Sequence, residues 1–169
     1  MPANDPSATL TGASCDSISW QMTRFLSFEF ERTDDGSAKI TPCIDGVSLA
    51  DLVASFEVET GYDDPAGGYD GIVPDHFHLG PLQTYFLGQE EPTVGGEQGQ
   101  ISALFCHCGE AGCWPLVTHV RLDDDRVIWE GFGQPHRPRR DYSTFGPFEF
   151  CRTDYDKAVA LAAAFAGAA

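Results

Sequence analysis

The sequence predicts an α+β domain built mainly on an antiparallel β-sheet, and three observations carry that expectation. Over Arg24 to Arg32, Leu26, Phe28 and Phe30 fall on one face and Ser27, Glu29 and Glu31 on the other, the period-two pattern of a half-buried strand. Three β-rich runs then follow one another at 101–107, 116–122 and 126–132, the last two joined by the tight turn Asp123-Asp124-Asp125. Two helical stripes flank these strands, a short one near 48–57 and a C-terminal one near 154–166.

Taken in order, residues 1–19 are small and polar without periodicity and are expected to form a flexible arm, leaving 20–169 as a single globular domain. Asp34-Asp35-Gly36 supplies the turn after the first strand, Lys39 to Cys43 a second strand, and Ile44 to Val47 another turn. Asp45 or Ser48 is placed to cap a helix whose apolar stripe is Leu49, Leu52, Val53 and Phe56. Residues 60–75 form a long loop of Gly, Asp, Pro and Tyr, a type that is uncommon in compact domains and often functional. His76 to Leu79 and Leu82 to Leu87 read as short extended pieces, and 89–100 as an acidic glycine-rich loop. After a loop at 133–144, Phe148 and Phe150 open a last strand, and Thr153 or Asp154 is expected to cap the final helix. Phe28 to Asp34 and Phe148 to Asp154 differ only at Glu31 against Cys151, which predicts two similarly patterned strands in one sheet and not a duplicated domain.

Composition narrows the partners. With 10 Lys and Arg against 26 Asp and Glu, the formal net charge is −16, and a surface this negative repels phosphate backbones and anionic membranes. Nucleic acid is therefore an unfavoured partner. No apolar run is long enough to span a bilayer, and Met1 to Asp16 lacks the basic start and apolar core of a secretory signal, so a cytoplasmic location without membrane attachment is expected. In that setting six cysteines point to metal or free thiols more than to a disulfide framework.

Three of those cysteines share one short segment, Cys106-His107-Cys108-Gly109-Glu110-Ala111-Gly112-Cys113, between two predicted strands. Thiolates are preferred zinc ligands, and a glycine-bearing turn can present them convergently, so zinc is a candidate cofactor, the residues alone leaving the cofactor unknown. The alternative is a turn that simply tolerates small, apolar thiols. A fourth ligand has to come from elsewhere; His136 is the first choice, with His119, Cys151, Cys43 and His107 as the others. If Cys106 and Cys108 end a strand, they share a face and His107 points away from them.

The segments Leu104 to Leu116, Val127 to Phe132, Gln134 to Arg137, Asp141 to Ser143 and Phe145 to Phe150 together resemble a family of uncharacterised bacterial proteins. Its signature is a CxCGxxGCWPL segment followed by VxW, QPHR and GPFxF. The likeness spans about 104–160, and Ile44 to Val53 is similar to that family's IDGxxLxxLV piece. The resemblance implies no activity and transfers no catalytic residue. Proteins with a shorter CxCGxxGC segment keep the cysteines without the QPHR tail, which weighs against a histidine of that tail as their ligand.

Gln134-Pro135-His136-Arg137-Pro138-Arg139-Arg140-Asp141-Tyr142 holds three of the eight arginines, a local reversal of sign in an acidic chain. Guanidinium forks bind carboxylates and phosphates, so His136, Arg137, Arg139 and Arg140 are the candidate site for a small anion or an acidic protein partner. Alternatively the arginines pair with the chain's own carboxylates, such as Asp123, Asp124 and Glu130. His76 and His78, two residues apart, would share a strand face as a metal or acid–base pair requires, with Asp75 able to orient one. Trp20, Trp114 and Trp129 read as core or rim packing. No GxSxG, P-loop, HExxH or GxGxxG motif occurs.

Two functions follow. One is a non-enzymatic binding domain that uses loop 134–142 for an anionic ligand or acidic partner, with a structural zinc at the cysteine turn. The other is a metal-dependent, hydrolase-like enzyme in which His76, His78 and His136 join the cysteines in one cleft.

Overall fold

The computed structural model describes residues 23–92 and 96–168; the expected arm over 1–19, with Cys15 and Trp20, lies outside the described residues. The chain runs β1 (Thr23–Arg24), β2 (Leu26–Arg32), β3 (Ala38–Ile44), β4 (Val47–Ser48), α1 (Leu49–Glu59), β5 (Tyr69–Asp70), α2 (Pro74–Phe77) and α3 (Leu82–Tyr85). It continues through β6 (Gln100–Cys106), β7 (Leu116–Asp123), β8 (Arg126–Gly133), β9 (Phe148–Cys151) and α4 (Arg152–Ala166).

The α+β expectation holds. A six-stranded sheet has the order β1-β9-β8-β7-β6-β5, and a three-stranded sheet the order β2-β3-β4. Every strand pair is antiparallel except β1 with β9, which is parallel. The two sheets are stitched by reciprocal backbone hydrogen bonds between Ile40 and Ile72, at 2.9 and 2.7 Å.

Helix α1 forms where its stripe predicted it, and Ser48 is its cap, accepting from the Ala50 N–H at 3.2 Å. Asp45 instead accepts from the Phe25 N–H and pairs with Arg24, tying the start of β2 to the β3–β4 turn. Helix α4 packs chiefly on β2 and α3 and also reaches β3, β8 and β9. Trp129 and Tyr155 are fully buried there, the indole N–H donating to the Tyr155 hydroxyl at 3.0 Å while that hydroxyl donates to the Phe86 carbonyl. These satisfied polar tips let large rings sit in the core without an orphaned donor.

Three expectations are corrected. Residues 74–77 and 82–85 are short helices and not extended pieces. Pro74 fits the first turn of a helix, and the three-residue spacing of Leu82 and Tyr85 buries both on one helical face. Helix α4 begins at Arg152, earlier than a Thr153 or Asp154 cap requires, because the Asp125 carbonyl accepts the Arg152 N–H at 2.7 Å; Asp154 sits in the first turn, where its charge suits the helix dipole. The repeated heptapeptide does not share a sheet: β2 belongs to the three-stranded sheet and β9 to the six-stranded one.

Candidate functional site

Strand β6 ends at Cys106 and β7 begins at Leu116, and two tight turns fill the gap. The Gly109 N–H donates to the Cys106 carbonyl at 3.0 Å, and the Cys113 N–H to the Glu110 carbonyl at 3.3 Å. Gly109 and Gly112 hold φ of +80° and +72°, a region that costs a side-chain-bearing residue strain, so the glycines allow the chain to fold back twice within eight residues. The outcome is convergence: the Sγ atoms of Cys106, Cys108 and Cys113 all lie within 4.8 Å of one another.

That spacing suits a metal. Thiolates bound to zinc at about 2.3 Å in a tetrahedron stand roughly 3.8 Å apart, a distance small side-chain rotations would reach from here. Cys106 is buried, and burial pushes its thiol up to about 11; Cys108 and Cys113 are exposed. Hydrogen bonding from Cys106, then from the Glu110 backbone, lowers the Cys108 thiol below the ordinary range.

Among the described residues no fourth His, Cys, Asp or Glu joins the three thiols. His136 is brought to the same turn but meets its backbone, the Nε2–H donating to the Gly112 carbonyl. β6 ends at Cys106, so Cys108 and His107 lie in the turn and not on a strand; the His107 ring engages the Gly68 carbonyl, Nδ1 at 2.9 Å. His119 faces Glu97 at 3.6 Å, Cys43 is buried on β3, and Cys151 is disulfide-bonded.

The arginine loop is largely committed to the protein's own framework, through partners other than the Asp123, Asp124 and Glu130 named by the sequence. Arg121 takes Glu130 and Asp123 instead. Arg140 reaches inward: its Nη1 lies 3.2 Å from Glu57 Oε1, with the two side chains 7% and 0% exposed, and its Nη2 donates to the Asp64 and Pro65 carbonyls. Arg137 donates to the Asp64 carbonyl and stacks its guanidinium 4.8 Å from the Trp114 ring centre. Arg139 is exposed, and no ion pair involves it among the described residues.

Glu57 is the hidden hub of this arrangement. Its Oε2 accepts from the Gly67 N–H at 2.6 Å, and its Oε1 from the Tyr69 and Tyr142 hydroxyls at 2.7 and 2.6 Å. The long loop is thus tied to α1 at Gly67 and to the cysteine turn by the Trp114 indole N–H on the Gly67 carbonyl at 2.9 Å.

Between the cysteine turn, β6 to β8 and loop 134–142 lies a cleft of about 430 Å³. Phe105, Pro115 and Val117 give it apolar walls, and Gln134, Arg137 and Arg140 a polar end. Gln134 is 3% exposed; its Oε1 accepts from the His136 N–H at 2.9 Å, and its Nε2 has no hydrogen-bond partner. His119 and His136 also line the cleft.

His76 and His78 do not share a strand face. His76 belongs to α2 and its Nε2 contacts Asp35 at 3.1 Å on the β2–β3 turn, while His78 ends that helix with φ of +51°. No helix among the described residues is long and apolar enough to cross a membrane. No family model matches the chain, and neither a curated protein nor a solved structure matches it.

Proposed function

We propose that this chain is a binding domain that holds zinc on Cys106, Cys108 and Cys113 and offers loop 134–142 to an anionic ligand or an acidic protein partner. The observation that supports it best is the convergence of three thiols within 4.8 Å on a turn whose glycines and hydrogen bonds hold them there. The zinc is structural in this reading: it clips together two turns that are each closed by one backbone hydrogen bond, and His136 and Trp114 transmit that order to the arginine loop and to Gly67. Arg139 is the cation of the loop left open to an outside carboxylate. Nucleic acid is no part of this reading, given the net charge of −16.

The proposal is tested by elemental analysis of chelator-free protein together with a titration of poly-glutamate. One zinc per chain, and poly-glutamate binding weakened by Arg139→Ala, is the expected result; protein without metal, or binding indifferent to Arg139, overturns the corresponding half. The setting is part of the proposal. Thiols stay open to zinc where they are kept reduced, which favours the cytoplasm, whereas the Cys151 disulfide favours an oxidising compartment. A thiol count on protein alkylated in intact cells decides between them.

A second reading, a metal-dependent hydrolase, has one observation in its favour: the described residues supply three ligands and no fourth, the pattern of a site with an open position. The contacts of His76 at Asp35, away from the thiols, tell against the histidine set that this reading needs.

A further inference from the structure

We infer that the cleft beside the cysteine turn binds a small organic anion, its carboxylate or phosphate head on Gln134 Nε2 in the field of Arg137 and Arg140 and its apolar body against Phe105 and Val117. This rests on the reading of the domain as an anion binder and moves the site from the exposed tip of loop 134–142 to its buried base.

Among the described residues, two buried side-chain nitrogens have no hydrogen-bond partner, Gln134 Nε2 and Arg140 Nη1. Buried donors are normally satisfied because an unmet one keeps its desolvation cost, so one left without an acceptor calls for a cause. Both belong to residues that line the same cleft. The Gln134 amide is oriented by its own neighbour: Oε1 accepts the His136 N–H, which leaves the NH2 end as the free one. Arg140 Nη1 lies 3.2 Å from Glu57 Oε1 as an ion pair, without the alignment of a hydrogen bond, and that oxygen already accepts from two tyrosine hydroxyls. Arg140 therefore has its counter-charge in Glu57, and Gln134 Nε2 is the donor left facing no acceptor, which specifies a ligand that carries one.

Charge and shape agree with that. The polar lining includes Arg137 and Arg140, the latter paired with Glu57 behind it, and the one carboxylate among the lining residues, Glu97, faces His119 at 3.6 Å. The walls of Phe105, Pro115 and Val117 give an apolar body somewhere to go, and a volume of about 430 Å³ falls within the range of small-molecule sites, roughly 300–1,000 Å³. A phosphate ion alone would leave those walls wet. An organic acid or organic phosphate uses both ends of the cleft.

The test is an amide-detected NMR titration of the full chain, with zinc content assayed on the same sample, using benzoate, phenyl phosphate, inorganic phosphate and neutral benzamide. Saturable binding of benzoate or phenyl phosphate is expected, with shifts centred on Gln134, His136 and Arg140 and at least tenfold weaker binding of benzamide and of inorganic phosphate. Gln134→Ala should weaken the organic anion about tenfold and Gln134→Glu abolish it, both variants keeping the native amide spectrum elsewhere. No saturable binding by any probe, benzamide binding as tightly as benzoate, or shifts centred outside the cleft would each overturn the inference. Poly-glutamate binding that persists through Arg139 while the small anions fail would sink the cleft alone; loss of both would sink the anion-binding reading with it.

Discussion

Arg140 and Glu57 form a buried ion pair, 3.2 Å between Nη1 and Oε1, that joins the base of the arginine loop to the last turn of α1. Neither charge would be tolerated there alone. Glu57 is satisfied by the Gly67 N–H and two tyrosine hydroxyls, so the pair anchors the long loop, the arginine loop and the helix at one point.

Removing one member of that pair should therefore be costly. Glu57→Ala leaves the Arg140 guanidinium buried without its counter-charge and three donors without an acceptor, and should lower stability by about 3–5 kcal/mol. Chemical denaturation measures it. A loss below about 1 kcal/mol would show that the group is solvated and not a hub.

Alkaline pH should attack the same place. Burial and the neighbouring Glu57 carboxylate push the Tyr142 phenol up to about 12, burial with Glu57 raises Tyr69 further, and burial raises Tyr155. A phenol whose folded value lies above its unfolded one, about 10, binds its proton more tightly in the native state. Its contribution is fully present below about pH 10 and is lost as pH rises toward the folded value. Phenolate absorbance followed beside circular dichroism should show these three phenols ionising late and together with unfolding. Their ionisation near pH 10 in a folded protein would contradict the burial.

Gly71 should not accept a side chain. A Cβ there would stand 2.3 Å from Thr41 Oγ1 and 2.7 Å from the Ile40 carbonyl oxygen, and the backbone oxygen belongs to the bridge that joins the two sheets. Gly71→Ala should destabilise by about 1–3 kcal/mol, the scale of overpacking. A thermal melt checks it, and an unchanged midpoint would mean that the sheets separate easily at this point.

Much of this was legible in the residues because strands and helices announce themselves by period. The alternation of Leu26, Phe28 and Phe30 and the runs that became β6, β7 and β8 needed no tertiary information. The three thiols were equally visible, since ligands two and five residues apart on a glycine-rich turn have little room to diverge. What the sequence concealed was the partner of each arginine. Arg140 meets a carboxylate 83 positions away in sequence, since Glu57 lies far upstream on α1, a distance no local pattern encodes.

A clue to Glu57 did exist. It follows Leu49 and Val53 at four-residue steps, so it had to face the core with them, and an acid on an apolar stripe implies a buried partner. The helices α2 and α3 were missed for a different reason. Four-residue turns are too short to show a period, and Pro74 and Pro81 were their only markers. The repeated heptapeptide misled because the same pattern can pair with whichever edge is nearest. Beyond Arg32 the chain turns at Asp34 and Asp35, whereas beyond Cys151 the Asp125 carbonyl starts a helix.

The zinc reading is tested most directly by elemental analysis of the purified chain and of its Cys108→Ser variant, each followed by a thermal melt. The account predicts about one zinc per native chain, none in the variant, and a melting temperature that falls with the metal. A native chain without zinc, or a variant that loses zinc and melts at the native temperature, would contradict it.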